Sequence, residues 1–319
     1  MSTRLGIAAL CALALVSPAL AQPKKPPPSP PAAQTATNPK ADLAYGAFQR
    51  GHYLTALAEA TKRAQQNDPA AMTLLGELYA QGFGVPQDDK KAADWYKLAA
   101  EHGDANAMFA LAMFALQGRG GARNPDEAAR QLAAAAKLGH PAAAYDLGLL
   151  YLQGQQFPQD FKRAAELFAQ AATAGNPEAQ YALATMYKEG RGVPKDIKKA
   201  TQLMGLASVA GNIDAMVEYA IAEFNGSGVD KNETAAARLL LIAARRGSAI
   251  AQDRLARVLM AGRGIPANPT EAVKWHIISR AAGDSDPDLD AYAAKQPQAV
   301  RDAAEKAAQK WMSTLPPRS

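Results

Sequence analysis

Residues 74–103 read LLGELYAQGFGVPQDDKKAADWYKLAAEHG, and residues 181–211 read YALATMYKEGRGVPKDIKKATQLMGLASVAG. The two stretches belong to a repeat of 36 residues that is marked by two series of glycines. They are Gly82, Gly118, Gly154, Gly190, Gly226 and Gly262, and Gly103, Gly139, Gly175, Gly211, Gly247 and Gly283. A fixed period of this length is the signature of a repeat architecture. It predicts six units without insertions, at 68–103, 104–139, 140–175, 176–211, 212–247 and 248–283.

Each unit is predicted to hold two helices, which we call A and B. In the first unit the apolar residues of 69–81 have helical spacing, and Gly82 follows as a stop. Helix B is predicted from Asp89 to His102. The residue before helix B is Asp or Asn in every unit, which predicts an N-cap and not a catalytic carboxylate or metal ligand. The six are Asp88, Asn124, Asp160, Asp196, Asn232 and Asn268. Glu127 and Glu271 stand three residues after their caps, the spacing of a capping box.

The ends of the chain differ from the repeats. Arg4, an apolar run from 5 to 16, and Ala19 and Ala21 predict a signal peptide over 1–21, cleaved after Ala21, and hence a periplasmic or secreted protein. The run is too short to span a bilayer, so no transmembrane segment is expected after cleavage. Cys11 lies within the run, and no other cysteine is present for a disulfide or a thiol nucleophile.

Three further segments flank or cap the repeats. Residues 22–39 form a proline-rich segment that is interpreted as a disordered spacer or, alternatively, as a ligand for a proline-binding module. Residues 40–67 are predicted to be an N-terminal capping helix pair, and 284–319 to be C-terminal capping helices and a tail. Such caps cover the apolar faces that the terminal repeats of a solenoid would otherwise expose.

The two quoted stretches resemble the Sel-one-like repeat (SLR), a relative of the tetratricopeptide repeat. The resemblance implies an all-α fold, a right-handed α-solenoid of antiparallel helix pairs, and an adaptor that binds a protein partner. It also implies an exported bacterial member, with regulation of envelope signalling or exopolysaccharide as the more specific role. The aromatic pair Trp95-Tyr96 is not kept in most other units, and the cysteines of the disulfide-bonded branch of the family are missing.

A partner surface is predicted on helix A, which usually lines the concave face of such a solenoid. Positions spaced i, i+4 and i+7 on four successive A helices form a largely apolar stripe, interrupted by Thr185 and Lys188. The candidate partner-binding residues are Phe109, Met113, Leu116, Tyr145, Leu149, Leu152, Tyr181, Val217, Ile221 and Phe224. If exposed, the stripe suits a peptide or a helix, whereas the alternative is that these residues pack inside the helix pair.

Charge and motifs exclude other classes of function. A net charge of +5 does not indicate nucleic-acid binding. The basic stretch 231–280 is interpreted as a solvated face or, alternatively, as a surface for an acidic partner. The four histidines lack metal-ligand spacing, and no nucleophile or phosphate-binding motif is present, so we expect no enzyme, metal or cofactor. The function predicted is a non-catalytic periplasmic adaptor; the alternative is a cell-wall or carbohydrate-associated protein with weak hydrolase activity.

Overall fold

The structure is a computed structural model that describes residues 41–155 and 157–314. The signal peptide, the proline-rich linker and the last residues of the predicted tail lie outside the described residues. Within them the chain forms helices and no strand. The helices are α1 (Ala41–Gln49), α2 (Tyr53–Ala64), α3 (Pro69–Gln81), α4 (Asp89–Glu101), α5 (Ala105–Gln117), α6 (Pro125–Lys137), α7 (Pro141–Gln153), α8 (Phe161–Thr173), α9 (Pro177–Glu189), α10 (Ile197–Val209), α11 (Ile213–Asn225), α12 (Glu233–Arg245), α13 (Ala249–Ala261), α14 (Pro269–Ala281), α15 (Pro287–Ala294) and α16 (Gln298–Met312).

Helices α3 to α14 form six pairs, and all twelve helices have 13 residues. The first helix of each pair is helix A and the second is helix B. We call α3, α5, α7, α9, α11 and α13 the A layer, and α4, α6, α8, α10, α12 and α14 the B layer. From α3 to α13 each helix packs mainly against the helices before and after it in the chain. The predicted all-α solenoid of helix pairs is therefore confirmed.

Each A helix ends at a glycine of the first series. Gly82 has φ of 71°, and its N–H donates to the Leu78 carbonyl. All six glycines of this series adopt positive φ. A residue with a Cβ is strained in this left-handed conformation, whereas glycine adopts it readily, so the 36-residue glycine series records where each A helix must stop.

The six Asp and Asn residues named above occupy the N-caps of the B helices. Each accepts a hydrogen bond from the backbone N–H three residues later, such as Lys91 to Asp88 at 3.0 Å. The reciprocal half of the capping box is not made. The Asn124 N–H donates instead to the Ala115 carbonyl at 2.8 Å, and the Glu127 carboxylate accepts from Arg130 and Gln131. The N–H that a capping box would satisfy is thus already hydrogen-bonded to a carbonyl of helix A.

Small side chains let the two layers approach closely. Alanine at the third residue of every A helix is at most 2% exposed, as at Ala71. Gly76 and Gly148, in the middle of α3 and α7, lie under the buried rings of Tyr96 and Phe168. A Cβ on Gly148 would come within 2.6 Å of the Phe168 ring. The neighbouring repeat combines Ala112 with Leu132 at the same two positions.

The ends of the solenoid are closed by additional helices. At the N-terminal end α1 and α2 pack on each other, and α2 packs on α3. At the C-terminal end α16 packs on α14, where the rings of Trp275 and Trp311 are 5.6 Å apart. Pro297 is the N-cap of α16 and separates it from α15. These helices cover the apolar faces of the first and last repeats.

Candidate functional site

The predicted partner-binding residues follow one side of α5, α7, α9 and α11. Nine of the ten side chains are half-buried. This lies between the two alternatives of the sequence analysis, an exposed groove and a position inside the helix pair. The exception is Val217, which is 4% exposed and belongs to the core around α11 and α12. Val217 therefore lies below the surface and not on it, because its short β-branched side chain does not reach as far as the aromatic rings at this repeat position. We call the other nine residues the A stripe.

Several rings of the A stripe pack on the solenoid with one face. Phe109 stacks on the imidazole of His140 with centroids 4.6 Å apart, and Tyr145 lies against Phe168 at 5.7 Å. Phe224 is covered by the guanidinium of Arg263, which lies 4.2 Å from its centroid. No such cation lies over the stripe rings of α5, α7 and α9 among the described residues. The stretch of the stripe from α5 to α9 is therefore its least covered part.

Asp146 lies on α7, next to Tyr145 of the A stripe. It is half-buried, and the same repeat position is Ala110 on α5 and Ala182 on α9. Among the described residues, no side chain or backbone group forms a hydrogen bond or ion pair with its carboxylate. Burial raises its pKa to about 6. The carboxylate thus bears the cost of desolvation without a compensating cation.

Glu218 occupies the same repeat position on α11, but it has a partner. Its carboxylate accepts from the ammonium of Lys188 on α9 at 2.7 Å. Lys188 precedes Glu218 by 30 residues, and the residue 30 before Asp146 is Leu116. Asp146 therefore has leucine at the place from which Glu218 receives its cation.

Two tyrosines of the A stripe lie in an acidic environment. Burial raises the pKa of Tyr181 to about 12, aided by the charges of Glu218 and Asp214. Burial, followed by Asp146 and Glu178, raises the pKa of Tyr145. Both hydroxyls therefore stay protonated at neutral pH and can donate hydrogen bonds.

Charge is divided between the layers, which the sequence analysis did not recognise. The A helices hold eight acidic and three basic residues. The B helices hold eight acidic and thirteen basic residues. Counting along the chain conceals this, because the layers alternate about every 18 residues in a 36-residue repeat. Counting the 13-residue helices separately would have found it.

The basic stretch 231–280 is partly neutralised. Arg263 pairs with Glu233 at 2.5 Å, and Arg257 pairs with Asp286 at 2.5 Å. Arg238, Arg245 and Lys274 belong to B helices. The solvated-face interpretation therefore fits this stretch better than a surface for an acidic partner.

The N-caps of the A helices were also not predicted. Each directly follows a glycine of the second series or, in the first repeat, the turn after α2. They are Asp68, Asp104, His140, Asn176, Asn212 and Ser248. The Nδ1 of His140 accepts from the Ala143 N–H at 3.1 Å. Burial lowers the pKa of His140, against the opposing charge of Asp104, which keeps the ring neutral as an acceptor.

Two neighbouring carboxylates join α13 to the C-terminal cap. Asp286 is 4% exposed, caps α15 and pairs with Arg257. Burial and then the neighbouring Asp286 raise the pKa of Asp253 to about 6. Beyond them a cleft of about 490 Å³ lies between α14, α15 and α16, where Asp290 binds His276 at 2.9 Å and Arg280 at 3.1 Å. These contacts fasten the last helices to the final repeat.

A second group of apolar side chains lies at the ends of B helices. Leu206 and Val209 on α10 are 57% and 91% exposed, and Ile242 on α12 is 47% exposed. Sequence reasoning confined to helix A did not identify this patch. It is a competing surface against which a role of the A stripe must be tested.

Residues 41–155 and 157–314 contain no group of three or more His, Cys, Asp or Glu side chains placed to hold a metal ion. None of their helices is long and apolar enough to cross a bilayer.

The sequence and the fold were compared with known proteins. The Sel1 repeat matches six times in succession, at residues 69–104, 105–140, 141–176, 177–212, 213–248 and 249–284. No curated protein matches the chain significantly. A Sel1 repeat protein from Oxalobacter formigenes is similar in structure, with a TM-score of 0.65, 26% identity, and coverage of 82% of this chain and 100% of that protein.

A second solved structure shares the fold. It is a protective antigen of uropathogenic Escherichia coli with an SLR fold, at a TM-score of 0.55 and 22% identity, covering 88% of this chain and 72% of that one. Sel1 repeat proteins are typically protein-interaction scaffolds. The six repeat matches cover more than half of the sequence and follow the helix pairs one by one. The chain therefore belongs to the Sel1 repeat family.

Proposed function

We propose that this protein is a non-catalytic adaptor that binds a protein partner along the A stripe. The observation that carries the proposal is the continuity of apolar residues at equal repeat positions over α5 and α7, which Tyr181 extends onto α9. Phe109, Tyr145 and Tyr181 form one row, and Met113 and Leu149 begin the next. Half-buried apolar side chains in consecutive rows suit the floor of a groove that receives an extended or helical segment.

The location proposed is the periplasm or the exterior of the cell. The support is the sequence of residues 1–21, with its basic residue, apolar run and small residues before the expected cleavage site. Fractionation and N-terminal sequencing test it, and a mature chain beginning at Gln22 is expected. Recovery of the uncleaved chain from the cytoplasm would contradict it. Regulation of envelope signalling or exopolysaccharide is the more specific role proposed, on the resemblance alone.

The alternative is a cell-wall or carbohydrate-associated protein with weak hydrolase activity. The observation in its favour is that tyrosines and carboxylates share the A layer, as at Tyr181 and Glu218. Sugars are often bound by such combinations, because rings stack on them and carboxylates accept from hydroxyls. It predicts that isolated cell-wall fragments, and no protein, compete for the A stripe.

Site-specific photocrosslinking in living cells tests the adaptor. A photoreactive residue replaces Leu149 in the A stripe or, as the competing surface, Leu206 on α10, which is 57% exposed. The adaptor predicts a discrete protein adduct from position 149, which disappears when Tyr145→Asp is added to a folded chain. Adducts from position 206 alone would move the interface to the B layer and contradict the proposal. Adducts with glycan alone would favour the alternative.

A further inference from the structure

The partner's chemistry follows from the comparison of Asp146 with Glu218. The two carboxylates occupy the same place on helix A, two repeats apart. Glu218 is paired at 2.7 Å with Lys188, from the preceding A helix. The equivalent of Lys188 beside Asp146 is Leu116, an apolar residue of the A stripe. Beside the A stripe there is therefore one carboxylate with leucine at the position from which Glu218 receives its cation.

The surroundings of Asp146 do not supply a substitute. The same position on the adjacent A helices is alanine, at Ala110 and Ala182, so neither helix supplies a charged side chain there. The charges that raise the pKa of the adjacent Tyr145 are those of Asp146 itself and Glu178, and both are acidic. An unpaired charge among apolar groups lowers stability, so its retention needs another explanation.

The charge of the A layer from α3 to α11 points the same way. From α3 to α11 the A helices contain seven acidic residues and a single basic one, Lys188. Lys188 is already paired with Glu218. A surface of one sign attracts a partner of the opposite sign and disfavours a like-charged one.

We propose that the A stripe next to Asp146 binds a segment of a protein partner that carries both basic and leucine-sized apolar side chains. A lysine or arginine of this segment pairs with Asp146, as Lys188 pairs with Glu218. This inference rests on the proposed adaptor function and adds the class of partner. The apolar side chains of the segment lie on Leu116, Leu149 and Tyr145, and its cation enters the space beside the carboxylate. Binding then replaces a desolvated, unpaired charge with a charge-assisted hydrogen bond.

The test uses the full chain and two labelled peptides. One alternates leucine and lysine, and the other has glutamate in place of each lysine; fluorescence anisotropy gives the two affinities. The wild-type protein is expected to prefer the lysine peptide by about tenfold or more. Asp146→Asn, and Leu116→Lys, which supplies an internal cation, should each weaken the lysine peptide by roughly tenfold, as expected for loss of one charge-assisted bond. The matched control Asp126→Asn, on the B layer, should change nothing.

The outcomes separate the inference from the adaptor function. Unchanged binding of the lysine peptide by Asp146→Asn and Leu116→Lys, equal binding of both peptides, or no binding of the lysine peptide would each overturn the basic-partner proposal. Leu149→Asp serves as the second readout. If Leu149→Asp abolishes binding of both peptides while Asp146→Asn does not affect it, the A stripe is still a docking surface and only its charge preference is wrong. If Leu149→Asp leaves peptide binding intact and Tyr145→Asp leaves the cellular adduct from position 149 intact, the adaptor function itself fails.

Discussion

The A layer and the B layer are built by the same rules and present different surfaces. Their helices have equal length, begin at side-chain caps and meet through small residues such as Ala112 and Ala128. Acidic residues predominate over basic ones in the A layer, and the reverse holds in the B layer. The repeat therefore constrains the positions where the layers meet and leaves the outward positions free to differ. Those free positions are where a partner can be selected.

The largest effect is expected where the layers meet. Phe168 is fully buried on α8, and Phe168→Ala should lower the free energy of unfolding by about 3–5 kcal/mol, since it removes a ring and leaves a cavity. Urea denaturation followed by circular dichroism measures it. A loss below about 1 kcal/mol would show that the rings do not hold the layers together.

A paired substitution tests the fit of the two layers. Gly148→Ala should cost about 1–3 kcal/mol, because the new Cβ meets the Phe168 ring and overpacking outweighs the gain in helix propensity. In a Phe168→Leu background the same change should be neutral or stabilising, since the pair then matches Ala112 and Leu132 of the preceding repeat. Additive effects of the two substitutions would contradict this fit.

The next largest effect on stability is expected from the charge of Asp146 in the A layer. Burial raises the folded-state pKa of Asp146 to about 6, above its usual value of 3.8. The penalty for its charge is therefore absent below about pH 4 and grows as the pH rises to about 6. Asp146→Asn should raise the free energy of unfolding by about 2 kcal/mol at pH 7.5 and hardly at all at pH 4. Asp126→Asn on α6 is the control, and an equal gain from it would remove the distinction between the layers.

The third effect concerns the caps of the B layer. The Asp160 carboxylate accepts from the Arg163 N–H at 2.9 Å. Asp160→Ala should lower the free energy of unfolding by about 1 kcal/mol, whereas Asp160→Asn keeps the acceptor and should cost much less. Urea denaturation of the three proteins compares them. Equal losses from both substitutions would show that the charge, and not the hydrogen bond, is the source of stability.

The smallest effect concerns a cap of the A layer. Burial lowers the folded-state pKa of His140 below its usual value of 6.5, so its contribution is complete above about pH 6.5 and is lost as the pH falls through the folded-state pKa. Asn176, the equivalent cap in the next repeat, does not titrate. His140→Asn should therefore be more stable than wild type at pH 5 and nearly equal to it at pH 8. The same difference in the free energy of unfolding between wild type and His140→Asn at pH 5 and at pH 8 would contradict the burial of a neutral ring.

The sequence by itself determined the repeat, the ends of its helices and the small residues where the helices pack. Glycine at the end of each A helix, Asp or Asn at the start of each B helix and buried alanine are local requirements of backbone geometry and close packing, so a single chain displays them six times. Only the tertiary structure decided how far the side chains of the A stripe are exposed and that Val217 is buried. It also decided that Glu218 has a cation as partner and Asp146 does not. The reason is physical: exposure and ion pairing depend on side chains from stacked helices some 30 residues apart, such as Lys188 and Glu218, and the spacing of residues along one helix does not contain that information.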